Sequence, residues 1–186
     1  MRAFVAVAAA AEAPEGGSGP APEHLTLRFL GELPEELLPA VLEGLTPVAA
    51  RIAPFDFDLE GVGAFPSPRD PRVVWVGVTM GREQLVELAH QVSEALRPIV
   101  GSPDRSEFIP HLTLFRVRGP GDRTRARDLF EGRAPPPTPR RVPVREFLLK
   151  ESRLGRGGAV HRTVARFPLT GGGAEGVTRS MRGPGP

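Results

Sequence analysis

The sequence predicts an α+β fold, internally duplicated and two-lobed, with its helices on the outside. Three observations carry this. Short alternating segments punctuated by Gly and Pro stand beside longer stretches of helical period. The tetrapeptide His-Leu-Thr-Leu occurs twice, at residues 24–27 and 111–114, an offset of 87. A strand–turn–strand pattern recurs in register at that same offset: Phe55 falls on Val142, Phe57 on Val144, Arg69 on Arg156 and Val73 on Val160. One offset that carries several elements marks a duplication. The plan reads as strand, helix, His-Leu-Thr-Leu strand, helix and hairpin, written twice.

Each element has its own warrant. Residues 2–8 are an apolar first strand, and residues 9–22, rich in Ala, Gly, Pro and Glu without period, are expected as a loop. Over residues 24–30, Leu25, Leu27 and Phe29 alternate with His24, Thr26, Arg28 and Leu30, and Gly31 stops the strand. Pro34, Glu35 and Glu36 open a helix to about Ala50, with Leu37, Leu38, Val41, Leu42 and Leu45 on one face. Pro47 is expected to end or kink it early. Phe55, Phe57 and Leu59 mark a strand over 55–62, the proline-rich stretch 66–71 a turn, and 73–78 the partner strand. Leu85, Leu88, Val92 and Leu96 place a helix over 83–97. Residues 111–117 are a strand, 124–131 a short helix and 135–137 a rigid proline loop. A second hairpin spans 142–149 and 160–167 around the Gly-rich turn at 155–158. Residues 170–186 are mostly Gly, Ser, Pro and Arg and are expected as a disordered tail. That leaves residues 1–169 as one domain of two pseudo-symmetric lobes. The copies differ in one place: Phe4 lies 20 residues before His24, whereas Trp75 lies 36 before His111, so the first copy lacks about one helix.

Composition narrows the function classes. With no cysteine, disulfides and thiolate-metal sites are excluded. The apolar start dissolves into Glu12, Pro14 and Glu15, too short for a signal sequence, and no apolar run approaches the roughly 20 residues of a membrane span. A cytoplasmic protein without membrane contact is expected. Residues 1–100 carry 7 Arg against 14 acidic residues, while 101–186 carry 16 Arg and Lys150 against 8. The basic half suggests a polyanionic partner, or a solvated surface in a chain that favours arginine.

The chemistry sits in the repeated tetrapeptide. In a strand, residues i and i+2 share a face, so His24 projects with Thr26 and His111 with Thr113, while the leucines point inward. One such histidine is ordinarily structural. Two of only four, in identical contexts at an offset shared by flanking elements, point to chemistry. Two lobes packed about a pseudo-twofold axis bring the His-Thr pairs to opposite walls of one cleft. There one imidazole takes a proton from water, the other gives one to a departing ribose oxygen, and the threonine hydroxyls donate to phosphate oxygens. Arg116 is the nearby cation. Of the other histidines, His90 is expected in solvent on its helix, and His161 in the last hairpin is a secondary candidate to reach substrate. Trp75, Phe4 and Phe108 are core candidates. There is no His-x-His, no HExxH and no aspartate cluster near either motif, so neither metal nor cofactor is expected.

These residues resemble the 2H phosphoesterase superfamily, marked by two H-x-[ST]-x motifs in a duplicated fold. The strings at residues 1–6, 23–32, 63–68, 110–117 and 165–167 are similar to the bacterial and archaeal RNA 2′,3′-cyclic phosphodiesterases, also called 2′-5′ RNA ligases. The resemblance covers roughly residues 1–169. It implies two antiparallel sheets flanking a central cleft and hydrolysis to a 2′-phosphate. It also implies His24 as proton donor and His111 as acceptor, an order the residues alone leave open. By the same resemblance Arg116 matches the arginine after the second motif, and Phe4 packs on the base. The implied partners are RNA ends or nucleotides bearing a 2′,3′-cyclic phosphate, handled by a monomer. The resemblance also leads one to expect a full helix between first strand and first motif, where this chain is short and Gly/Pro-rich. Two readings compete: reversible 2′-5′ ligation of RNA ends, which uses the same residues, and a nucleotide- or RNA-binding module without turnover.

Overall fold

The computed structural model describes residues 1–9, 24–102, 108–155 and 158–172. In chain order the strands are β1 (Arg2–Ala8), β2 (His24–Glu32), β3 (Phe55–Ser67), β4 (Asp70–Val78), β5 (His111–Arg116), β6 (Arg140–Val144), β7 (Glu146–Gly155) and β8 (Gly158–Pro168). The helices are α1 (Leu38–Arg51), preceded by a 3-10 turn (Glu35–Leu37), α2 (Arg82–Val100) and α3 (Pro120–Phe130). Among the described residues no helix is long and apolar enough to cross a membrane. Most of the expected 9–22 loop, where the first copy is short, lies outside the described residues, as does the tail from residue 173.

The strands form two four-stranded sheets, β2-β1-β7-β8 and β5-β4-β3-β6. All their pairings are antiparallel. The α+β class and the two antiparallel sheets therefore stand. The hairpin expected over 142–149 and 160–167 is corrected. Its first arm is two strands: β6 pairs with β3, and β7 pairs with β1 and β8 in the other sheet. Arg145 sits at the crossing, where its guanidinium donates to the Phe55 carbonyl and pairs with Asp56. The first sheet thus takes its strands from both ends of the chain and the second from the middle. The sequence-level match of hairpin to hairpin does not extend to sheet position either. β4 is a central strand, while β8 is an edge strand.

Smaller differences have local causes. α1 continues through Pro47 to Arg51, because Val48 and Ala49 beyond it are buried and hold the last turn to the core. β2 runs past Gly31, which adopts φ 67° inside the strand. α3 starts four residues earlier than expected, with Pro120 in its first turn. Order extends just past the expected domain end: the Thr170 and Gly171 amides donate to the Ala49 and Ile52 carbonyls at the end of α1.

One core joins the two sheets. Val5, Val7, Leu25 and Leu27 of the first and Phe57, Leu59, Val76, Leu112 and Val142 of the second share it with Leu45, Leu88 and Val92 of the helices. Arg28 is buried at 4% and donates to the Ser93 carbonyl within α2 and to the Gly101 carbonyl at its end. A cation there also complements the helix C-terminus. This ties β2 to the helix that precedes β5.

Candidate active site

The two motifs lie on edge strands of different sheets, β2 and β5, and these strands pack against each other. On β2, Leu25 and Leu27 are buried in the core, while His24 and Thr26 are half-buried on the opposite face. On β5, Leu112 is buried, His111 half-buried and Thr113 exposed. The period-two expectation therefore places the motif side chains as anticipated.

Further along, strict alternation fails in both copies, and in the same way. Across β4, Gly77, Trp75 and Val73 face His111, Thr113 and Arg116, with a register shift between Val74 and Trp75. The shift makes Leu114 the extra residue and returns Arg116 to the face of His111. Across β1, Ala8, Ala6 and Phe4 face His24, Thr26 and Phe29, again with a shift. The bulge thus puts Phe29 beside the first motif where the second has Arg116. Phe29 is 70% exposed. Strict alternation groups Phe29 with Leu25 and Leu27, although it lies 87 residues before Arg116, the offset of the repeat.

Each motif imidazole is boxed by two rings. His24 has Phe4 at 4.9 Å and His161 at 4.9 Å between ring centroids, and Phe4 and His161 also touch. His111 has Phe65 at 5.0 Å and Trp75 at 6.0 Å. The Trp75 indole lies across Gly63, where any Cβ would overlap it. Phe4, expected to pack on a base, is 2% exposed, and its ring faces His24 and His161. Phe108 packs against the core, and His90 is exposed on α2.

His111 is electrostatically defined. Its Nδ1–H donates to the Ile109 carbonyl at 2.7 Å, which leaves Nε2 as the acceptor of a neutral ring. Burial pushes the imidazolium below the ordinary histidine range. The Arg116 guanidinium pushes the same way, and the Ile109 bond opposes them. Such a group is a base near neutrality. Among the described residues no group of three or more His, Asp or Glu side chains is placed to hold a metal ion.

The fold built around this pair is that of known structures. A protein of Thermus thermophilus superposes with TM-score 0.71 at 32% identity, covering 92% of this chain and 99% of its own. E. coli LigT in complex with 3′-AMP gives TM-score 0.68 at 25% identity, over 91% and 98%. The sequence matches the family model described as the 2′-5′ RNA ligase superfamily over residues 5–154, and the chain belongs to that superfamily. Its curated relatives include two proteins named RNA 2′,3′-cyclic phosphodiesterase. That of Aeropyrum pernix is 36% identical over 76% of this chain and 78% of the relative, and that of Archaeoglobus fulgidus 37% over 77% and 78%.

Proposed function

We propose that the chain is a metal-independent RNA 2′,3′-cyclic 3′-phosphodiesterase that opens cyclic phosphate ends to 2′-phosphates. The observation that carries this is the meeting of two edge strands from separate sheets, each presenting His and Thr on the face away from the core. Water attacks phosphorus while His111 Nε2 takes its proton, and the P–O3′ bond breaks as His24 protonates the departing oxygen. Thr26 and Thr113 donate to the non-bridging oxygens, and Arg116 offsets the charge of the forming phosphomonoester. The Ile109 bond supports His111 as base, which leaves His24 the acid. Phe29 offers the exposed ring on which a base stacks. A single chain carries both histidines, so a monomer suffices. The names of the curated relatives support hydrolysis over ligation as the direction.

The test is the purified chain acting on 2′,3′-cyclic AMP, with the product identified by chromatography. Release of 2′-AMP is expected, and 3′-AMP would refute the acid's placement at O3′. Activity is expected to survive EDTA. Loss in EDTA restored by a divalent ion would identify a metal hydrolase instead.

Salt separates RNA ends from mononucleotides. Arg72, Arg118 and Arg125 are exposed near Arg116, with Arg125 over the Phe115 ring at 4.2 Å. Affinity for a cyclic-phosphate-ended oligonucleotide is expected to fall with salt at a log–log slope of about −0.7 per phosphate contacted. The mononucleotide slope should be shallower. Equal slopes would remove the basic half from substrate binding.

A further inference from the structure

Beside His24, and behind its neighbour, stand two basic side chains that the mechanism above does not use: His161 against His24 and Lys150 against His161. His161 on β8 meets His24 ring to ring at 4.9 Å and 81°, and meets Phe4 at 5.1 Å and 82°. Its Nδ1 is buried and has no hydrogen-bond partner among the described residues. Lys150 on β7 is the chain's single lysine and is 2% exposed. It pairs in register with Phe4 on one side and Thr163 on the other, and its Nζ donates to Thr163 Oγ1 at 3.0 Å. His111 is likewise flanked by two rings, but Phe65 and Trp75 cannot take a proton.

We propose that His161 is a positioning residue for His24: it clamps the imidazole edge to face against the tilted ring of Phe4, and Lys150 behind it confines the pair's proton to His24. This rests on the reading of His24 as the general acid. An acid must hold its proton while the P–O3′ bond breaks, and a ring free to swing delivers that proton less often. A second protonated imidazole at this distance would repel it. Burial, and then the Lys150 ammonium, push the His161 imidazolium below the ordinary histidine range. Among the described residues, the titratable and charged groups facing His161 are His24 from β2 and Lys150 from β7. Glu151, Arg153 and Arg162 turn to the other face of the sheet, against Met1, Glu35 and Leu38.

Hydrolysis of 2′,3′-cyclic AMP by the full chain, with histidine NMR, tests this. His161→Ala is expected to lower kcat about tenfold with KM within about twofold, the cost of a misplaced acid. His161→Phe should recover most of that, because a ring without nitrogens still clamps. Lys150→Met should raise the pH at which His161 titrates and lower kcat about fivefold, and adding His161→Phe should restore it, since the harm passes through the His161 charge. His161→Phe as slow as His161→Ala would overturn the inference, because a nitrogen would then be needed. An unmoved His161 titration in Lys150→Met would overturn the role of Lys150. The two His161 variants decide the clamp even where Lys150→Met does not fold. A wild-type chain inactive on the cyclic nucleotide would instead sink the functional reading.

Discussion

His24→Ala and His111→Ala are each expected to lower turnover of a 2′,3′-cyclic nucleotide by roughly 10²–10⁴, the usual worth of a general acid or base. Both variants should fold. Each histidine is half-buried at a sheet edge, and the adjacent Leu25, Leu27 and Leu112 that hold the strands in the core are untouched. The double variant should be little worse than either single one, because acid and base act in one transition state. His90→Ala, exposed on α2, is the control and should change nothing. The checks are kcat with a thermal melt for every variant. Near-normal turnover in either motif variant, with the melt unchanged, would end the two-histidine mechanism.

The duplication was legible because its evidence is local. A four-residue repeat at one offset, alternation of period two and leucines at helical spacing can be counted along the chain. The candidate residues that follow from alternation, His24, Thr26, His111 and Thr113, lie on the strand face where that counting puts them. What was not legible depends on pairing between distant strands. Residues 142–149 read as one strand, since Arg145 and Glu146 between two apolar stretches do not by themselves distinguish a strand that changes sheet from one that continues. The face taken by Phe29 or Arg116 is set by a bulge, and a bulge exists only against a partner strand. Lys150 gave no signal either. In sequence it is one charge in a basic half, and only its place between Phe4 and Thr163 brings it to His161.

Arg116→Ala is expected to lower kcat/KM for the cyclic nucleotide about 10- to 100-fold, the range of a hydrogen bond to a charged group. Arg116→Lys should recover only part, because an ammonium lacks the planar fork that meets two phosphate oxygens. The same substitution also moves the pH profile, in a direction that follows from His111. A base works when neutral, so activity falls as pH drops through its pKa. Burial, with Arg116 adding to it, holds that pKa below the ordinary histidine value, which places the acidic limb below about pH 6.5. Removing the guanidinium relieves one of the two downward pressures, so the His111 pKa rises and the acidic limb shifts to higher pH. Burial is the larger cause and remains, so the limb should stay under the ordinary value. Arg116→Lys keeps the charge, and its limb should stay near wild type while kcat/KM remains low. The two readouts therefore separate the field of the residue from its hydrogen bonds. The measurement is kcat/KM from pH 4.5 to 9 for wild type and both variants. Wild-type kinetics together with an unmoved limb in Arg116→Ala would reduce Arg116 to a surface charge.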